Sequence, residues 1–483
     1  MKVALINPIP LSYNKEKEQS ETFFYVSSPP LGLLYLSSCI SEEGHDVSVL
    51  DQAAVNFDNN DVVNWIKEQD PDIIGFSVLC ISFENAKLIS KELKMWNPNV
   101  VIIFGNYLAT FYADKILNYY EWVDICVRGE GERTFLELID VLERNSDLSE
   151  VKGITYRNNG IVKSNEDRAL IEDLDKIPFP DRSKVPNIYK NRIGGIDISP
   201  RKFTTIVTSR GCPFSCNFCG CTAFSHGSWR TRSVENIMDE IRYLADEGYR
   251  EILIVDDNFT LNKKRVVKLC EKIRKENLDI VFICDGRVNN SSLNLLKAMY
   301  QANFKTLMYG IESSSQRILN RYNKNITPTM SRQAIKNARK AGIKIVIASF
   351  MIGALDETYE EAINTLKFAA SLDIDFPYIL FTRALPGTQL FNDLLQREII
   401  EEDKYWETGV DIIDLPEATM DRDVIFKIIE EQFHIHFFRP TYLLKAFFRT
   451  IFGNYRREIV LNHLSIKDFK KFVDLINNPP ELF

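Results

Sequence analysis

Two blocks of alternating strand and helix patterning constrain this chain more than any other feature. In each block, short apolar runs alternate with amphipathic stretches, and a proline-marked break separates the two. In the first block the apolar runs fall over 2–7, 46–50, 73–78, 100–104 and 123–127. Helical patterning lies between them, near 31–41, after Ser82 and after Gly131. Ser82 is placed to cap a helix whose apolar positions are Ala86, Ile89, Leu93 and Trp96. A βαβα rhythm implies a parallel, doubly wound, Rossmann-like sheet, with ligands beyond the carboxyl ends of the strands. Those ends are Asn7-Pro8, Ser77-Val78-Leu79, Gly105-Asn106 and Gly129-Glu130-Gly131-Glu132.

The second block places strands over 203–207, 251–255, 280–284, 306–311, 343–351 and 376–382. Helices are expected over 234–245, 264–275, 293–302, 330–341 and 359–371. This fits a partial (β/α)6 barrel, whose chemistry sits at the strand C-termini. Polar residues gather at those ends: Asp256 and Asp257, Asp285 and Arg287, Glu312, Thr382 and Arg383. The expected α/β organisation is a doubly wound domain over 1–145, a linker over 146–200, a barrel over 201–410 and a helical region over 411–483. Within the linker, Asn158-Asn159-Gly160 marks a small hairpin, and Pro178 and Pro180 block regular structure.

Nine cysteines, an odd number with four inside ten residues, exclude a secreted disulfide framework and point to a reducing cytoplasm. The opening MKVALINPIP lacks a signal peptide's apolar core, and no apolar run is long enough to span a membrane. A net charge of −8 argues against nucleic acid as a partner. Gly129-x-Gly131 follows a late strand and lacks the third glycine of a dinucleotide fingerprint.

The chemistry concentrates in Gly211–Cys221, GCPFSCNFCGC, just after the first barrel strand. Cys212, Cys216 and Cys219 make C-x3-C-x2-C. Three thiolates on one loop can each bind one iron of a [4Fe–4S] cube, leaving the fourth iron open. A structural zinc would need a fourth ligand, which Cys221 or His226 could provide.

The motif, with Phe218 just before its third cysteine, resembles the signature of radical S-adenosylmethionine enzymes. The resemblance implies that the open iron binds the methionine part of S-adenosylmethionine. The cluster's electron then releases a 5′-deoxyadenosyl radical that abstracts hydrogen from an unactivated carbon. A fourth thiolate would block that iron, so Cys221 reads as a small loop residue rather than a cluster ligand. By the same resemblance Asp256 lies near the methionine amino group, Arg287 near its carboxylate and Glu312 near the ribose. Gly353 and Pro386-Gly387-Thr388 lie around the adenine, and Thr382, at its strand end, is a further cofactor-binding candidate. The sequence departs at Ala354-Leu355-Asp356, where relatives carry a Pro and a Gly. Cys284 and Tyr309 are candidate donors inside the barrel. An electron donor such as flavodoxin or ferredoxin is implied.

Pro29–Leu33, Val123–Phe135 and the Pro178–Arg182 segment resemble the subgroup with an N-terminal cobalamin-binding (B12) domain. Ser77-x-Leu79 and Gly105-Asn106 echo the elements that line the corrinoid's nucleotide tail, with Gly129 and Glu130 at the next strand end. Two departures stand out: Ala53, where cobalamin mutases have a cobalt-ligating His, and Leu108, where relatives often have a His. The methylthio-transferring branch has three further cysteines. Cys39, Cys80 and Cys126 have comparable spacing, but Cys39 and Cys126 fall inside apolar runs, as core residues do.

Residues 425–483 hold nine Lys and Arg against six Asp and Glu, interleaved with aromatics. They read either as helices packed on the barrel with solvated bases, or as an interfacial region touching a membrane or an amphiphilic small-molecule, lipid or peptide substrate. The expected function is cobalamin-dependent methylation of an unactivated carbon. The alternatives are another radical reaction, such as ring closure, coupling or rearrangement, and a non-catalytic corrinoid or iron–sulfur carrier.

Overall fold

The computed structural model describes residues 1–9, 28–193 and 196–462. They form two compact units, Met1–Tyr189 with Ile400–Gly409, and Lys190–Ile399 with the chain from Val410 onward.

The first unit is built on β1 (Lys2–Asn7), β2 (Asp46–Asp51), β3 (Ile73–Ser77), β4 (Val101–Gly105), β5 (Ile125–Val127), β6 (Ile154–Asn158) and β7 (Ile161–Ser164), in sheet order β2-β1-β3-β4-β5-β6-β7. The first five strands are parallel. Strands such as Lys2–Asn7 are buried on both faces, which is why they read as unbroken apolar runs. In this order the chain reverses at β1 and β3, and a ligand crevice opens at such a switch point. The Phe83–Trp96 helix begins after Ser82, but Ser82 Oγ accepts from Leu79 N–H at 3.2 Å and makes no cap bond. The sequence reading missed the Asn59–Gln69 helix, which starts with a capping box between Asp58 and Asp61.

The expected linker is not a separate element. The Asn158-Asn159-Gly160 hairpin pairs antiparallel onto β5 and extends the sheet to seven strands. Arg128 donates from Nε to Asp167 at 2.9 Å and also bonds Thr155, which fastens the chain leaving the hairpin to the end of β5. The unit extends to Tyr189, whose hydroxyl donates to Asp51 at 2.9 Å. It also takes in Ile400–Gly409, where buried Trp406 packs edge-on against Phe83 and Lys87 pairs with Glu407 at 2.6 Å.

The second unit carries six parallel strands in chain order, Phe203–Ile206, Glu251–Ile254, Val281–Gly286, Phe304–Glu312, Ile345–Ile352 and Phe376–Phe381. They agree with the sequence expectation to within a few residues, and we call them barrel strands one to six. Their helices have ordinary causes. Ser233 caps Val234–Asp246, whose Val234, Ile237, Ile241 and Leu244 bury one face. Thr327 caps Pro328–Ala341 with Pro at its first turn, and Gly342 closes it at φ 103°. Each fully buried Leu, Ile or Phe of this core contributes about 1.5–3 kcal/mol.

The C-terminal helices Arg422–Phe438, Pro440–Phe452 and Asn454–Asn462 belong to this unit. Phe437 and Tyr455 are buried, and Tyr442 donates to the Asp375 carbonyl at 3.0 Å. The bases are not simply solvated, because Arg449 pairs with Asp373 at 2.7 Å and Arg456 with Asp375. Residues 463–483 and the side chains of Phe438 and Phe452 lie outside the described residues. Tyr455 Oη donates at 3.3 Å to Glu251, the first residue of barrel strand two. Burial pushes the Glu251 carboxyl up to about 8. The folded state therefore holds a proton that the unfolded chain loses near the ordinary glutamate value, and stability falls as pH rises toward 8. Glu251→Gln should match the wild type at pH 5 and exceed it at pH 8 by about 3 kcal/mol in denaturant titrations. An unchanged difference between those pH values would refute this.

Candidate functional site

The three-cysteine loop is held at its root. Ser209–Arg210 pairs antiparallel with Arg230–Thr231, so the intervening chain leaves barrel strand one and returns to the same place. Gly211 has φ +83°, and a Cβ there would lie 2.1 Å from the Ser228 carbonyl oxygen, so only glycine fits. Asp257 accepts from Gly211 N–H at 2.9 Å. Asp256 does not face outward as a free ligand. Its buried carboxylate accepts from Thr208 N–H at 2.6 Å and from the hydroxyls of Thr208 and Ser209 at 2.5 Å each. This corrects the sequence expectation: adjacent Asp256 and Asp257 both fix the loop's root.

All nine cysteines are unbridged. Cys216 is buried, and Cys219 immediately precedes the Gly220–Ser225 helix. Donation from the Cys221 thiol, with the N–H groups of Thr222 and Cys221, lowers Cys219 to about 6. Cys221 is pushed up by that same bond, by burial and by Asp257. The bond between the two thiols thus favours the thiolate form at Cys219 and the thiol form at Cys221. Burial raises Cys212. Among the described residues, no three His, Cys, Asp or Glu side chains converge as one ion's ligands would. A cube instead asks its three thiolates to reach three different irons. The loop's three unbridged thiols, Cys212, Cys216 and Cys219, fit that group.

A turn missed by the sequence reading backs this loop. After the Gln316–Arg321 helix, the carbonyls of Arg321 and Tyr322 accept from Asn217, at 2.9 Å from its side chain and 3.2 Å from its backbone. Asn323 Nδ2 donates to the Ser215 carbonyl at 2.8 Å. Lys324 pairs with Glu312 at 2.6 Å, both largely buried. Glu312 sits at a register shift with φ 66° and also accepts from Ser349 Oγ at 3.3 Å. Phe218 packs edge-on against Tyr322, 5.2 Å between ring centres, and the Tyr322 hydroxyl bonds Thr382. Arg287 bonds Cys216 and the Lys324 carbonyl rather than standing free at its strand end. Asn258 is buried, and neither its side-chain oxygen nor its nitrogen has a partner. An orphaned amide beside the loop's root is the kind of group that a polar ligand satisfies.

Cys284 and Tyr309 are placed otherwise than expected. Barrel strands three and four pair Cys284 with Leu307 and Gly286 with Tyr309, so both residues share a face. That face packs on the helices, and both residues are fully buried in the core. Burial raises Cys284 and Tyr309 well above their ordinary values. The opposite, inner face carries Leu253, Val255, Asp285, Met308 and Ser349, all partly exposed. Burial, with Asp256 and Asp257 nearby, pushes Asp285 up to about 7. Gly353, at φ +88°, donates its N–H to Glu357 at 2.7 Å, and burial holds that carboxyl near about 7.

In the first unit, the ends of β3, β4 and β5 are tied into one rim. Ser77 and Gly105 are paired neighbours. Asn106 Nδ2 donates to Ser77 Oγ at 2.9 Å, Thr110 donates to the Asn106 carbonyl at 2.8 Å, and Gly129 N–H donates to Thr110 Oγ1 at 3.0 Å. Asn106 lies at φ 75°, ψ −156°, a region nearly restricted to glycine, so the Asn side chain braces a strained backbone. Leu79 is exposed, and open space surrounds Gly129. This shallow rim of small residues fits a ligand that approaches the backbone closely. Leu108 and Ala53 are buried core residues, so neither departure narrows the rim. Glu130 is engaged by the Ile171 N–H at 2.6 Å and does not stand free at its strand end. Cys39 and Cys126 are buried, and Cys80 is partly buried.

Residues 206–369 match the family described as the Radical SAM superfamily, and residues 24–139 match the B12 binding domain. The chain is 36% identical over 425 residues to an uncharacterized methyltransferase of Pyrococcus horikoshii, covering 87% of this chain and 90% of that one. It is 26% identical over 445 residues to the anaerobic magnesium-protoporphyrin IX monomethyl ester cyclase of Rubrivivax gelatinosus, covering 87% and 75%. Among solved structures, the radical S-adenosylmethionine methyltransferase TsrM of Kitasatospora setae, with cobalamin and a [4Fe–4S] cluster bound, shares its fold. The TM-score is 0.65 at 17% identity, over 82% of this chain and 75% of that one. The chain belongs to the radical S-adenosylmethionine superfamily, in the group whose members also carry a B12-binding domain.

Proposed function

We propose that this enzyme is a cobalamin-dependent radical S-adenosylmethionine methyltransferase acting on an unactivated carbon. The observation that carries the reading is three unbridged thiols on one braced loop, in a chain whose other unit has the β2-β1-β3-β4-β5 sheet and glycine-lined rim of a B12-binding domain. When bound, the cluster and S-adenosylmethionine supply a carbon-centred radical, and cobalamin supplies a methyl carrier. Cys212, Cys216 and Cys219 would hold the cluster, and Cys221 would stay a protonated neighbour. Asn258, Glu312 with Lys324, Phe218, Gly353 and Thr382 would hold S-adenosylmethionine. Ser77, Leu79, Gly105, Asn106 and Gly129 would line the corrinoid's tail. Leu253, Val255 and Met308 would offer apolar surface beside Asp285 and Ser349 on the inner face of the barrel strands. Methyltransferase names among the relatives support methylation.

The test is anaerobic reconstitution followed by measurement of iron, sulfide, corrinoid and 5′-deoxyadenosine. Absence of a cluster would end every radical reading. A cluster with 5′-deoxyadenosine but no corrinoid would favour the second reading, a ring closure or other radical reaction, which the cyclase relative supports. Bound cofactors without 5′-deoxyadenosine would leave a carrier.

The substrate is a small molecule, and an electron donor such as flavodoxin or ferredoxin would reduce the cluster. Among the described residues, no helix is long and apolar enough to cross a membrane. The Pro440–Phe452 helix nonetheless exposes Leu443, Leu444, Phe447 and Ile451 on one side, while Lys445, Arg449 and Arg456 pair with Asp373 and Asp375. Such an apolar face suits a bilayer surface. Co-sedimentation with phosphatidylglycerol vesicles should fall about tenfold in a Leu444→Glu, Phe447→Glu double variant. Equal sedimentation would refute the contact.

A further inference from the structure

Arg287 ends barrel strand three, where the sequence suggested a partner for a cofactor carboxylate. Its buried guanidinium is instead committed to the cysteine loop. Nη1 lies 3.7 Å from Cys216 Sγ in donor geometry. The guanidinium carbon sits 3.8 Å from the centre of the Phe214 ring, and Nη2 donates to the Lys324 carbonyl. The Arg287 backbone N–H is held by Thr260 Oγ1 at 3.3 Å. One face of the charged plane and both of its Nη nitrogens are therefore held by the loop and its backing turn, and the third nitrogen, Nε, has no partner.

We infer that Arg287 is a positioning residue that tunes the cluster's reduction potential through Cys216. This rests on the proposal that the three cysteines hold an iron–sulfur cluster. Reduction adds one negative charge, spread over iron and sulfur. A fixed cation donating to one thiolate in a water-poor site stabilises the reduced form more than the oxidised form. An arginine suits this role because its charge is permanent and its planar fork can serve sulfur and carbonyl together.

The test is redox titration of the reconstituted enzyme without S-adenosylmethionine, read by the electron paramagnetic resonance of the reduced cluster. Arg287→Met should move the midpoint negative, so that at the wild-type midpoint the reduced-to-oxidised ratio falls about tenfold, which is 59 mV for one electron. Arg287→Lys, which keeps the charge, should recover most of that shift. A fully loaded Arg287→Met with the wild-type midpoint would overturn the inference, whatever it did to S-adenosylmethionine binding. If Arg287→Met fails to load, wild-type protein labelled with 15N-arginine decides the matter. Pulsed resonance of its reduced cluster should show a weak 15N coupling that Arg287→Lys lacks, and no coupling would overturn the inference. A wild type without any cluster would instead defeat the proposal beneath it.

Discussion

Replacing Cys216 with alanine is expected to abolish iron loading and 5′-deoxyadenosine release, while replacing Cys221 leaves both largely intact. The two residues lie on the same short loop and differ in what surrounds them. Cys216 is buried, with the Arg287 guanidinium aimed at its sulfur. The Cys221 thiol is pushed up by the neighbouring Cys219, by burial and by Asp257. Removing Cys216 takes away one of three protein bonds to the cube. The loss should exceed the roughly 10–100-fold effect of deleting an outer partner of a metal site. Removing Cys221 deletes one hydrogen bond to a sulfur that iron coordination would hold in any case. Iron and sulfide analysis of the two variants, prepared side by side, decides it. Equal loss in both would mean that the loop uses its cysteines differently.

The second large effect concerns a residue with no chemistry of its own. Gly211→Ala should leave the two units folded but strip the cluster. An alanine at φ +83° incurs about 1–2 kcal/mol from the left-handed backbone alone. Its Cβ would also lie 2.1 Å from the Ser228 carbonyl, and backbone cannot move aside as a side-chain tip can. The loop must open at the point where Asp257 fastens it, one residue before Cys212. Gly227 is the internal control, at φ +70° with open space around it. Gly227→Ala should cost only the backbone term and keep most of its iron. Comparable iron loss in both variants would show that conformation, not the collision, is what matters.

Much of this was legible from residues alone, because the first five strands of one sheet and all six of the other are parallel and largely buried. Runs such as Lys2–Asn7 and Ile345–Ile352 announce themselves as strands, and the cysteine spacing names its own chemistry. The same burial hid which way a side chain faces. A strand buried on both sides has no polar alternation, so nothing in 281–286 distinguished Cys284, packed on helices, from Asp285, on the inner face. Asp256 and Asp257 were equally opaque, since their partners Thr208, Ser209 and Gly211 lie 46 to 48 residues earlier, in the chain after barrel strand one. The backing turn at 321–325 escaped notice because its work is done largely by backbone carbonyls, which every sequence has. The placement of Ile400–Gly409 with the first unit depends on long-range packing around Trp406, which no local pattern records.

The central claim is that one chain couples radical formation to corrinoid-dependent methyl transfer. The most direct measurement is S-adenosylhomocysteine release by the anaerobically reconstituted enzyme under a low-potential reductant, with and without added cobalamin, beside the Cys212→Ala variant. The expected result is S-adenosylhomocysteine that requires cobalamin, together with 5′-deoxyadenosine that requires Cys212. Release of 5′-deoxyadenosine with no cobalamin-dependent S-adenosylhomocysteine would contradict it.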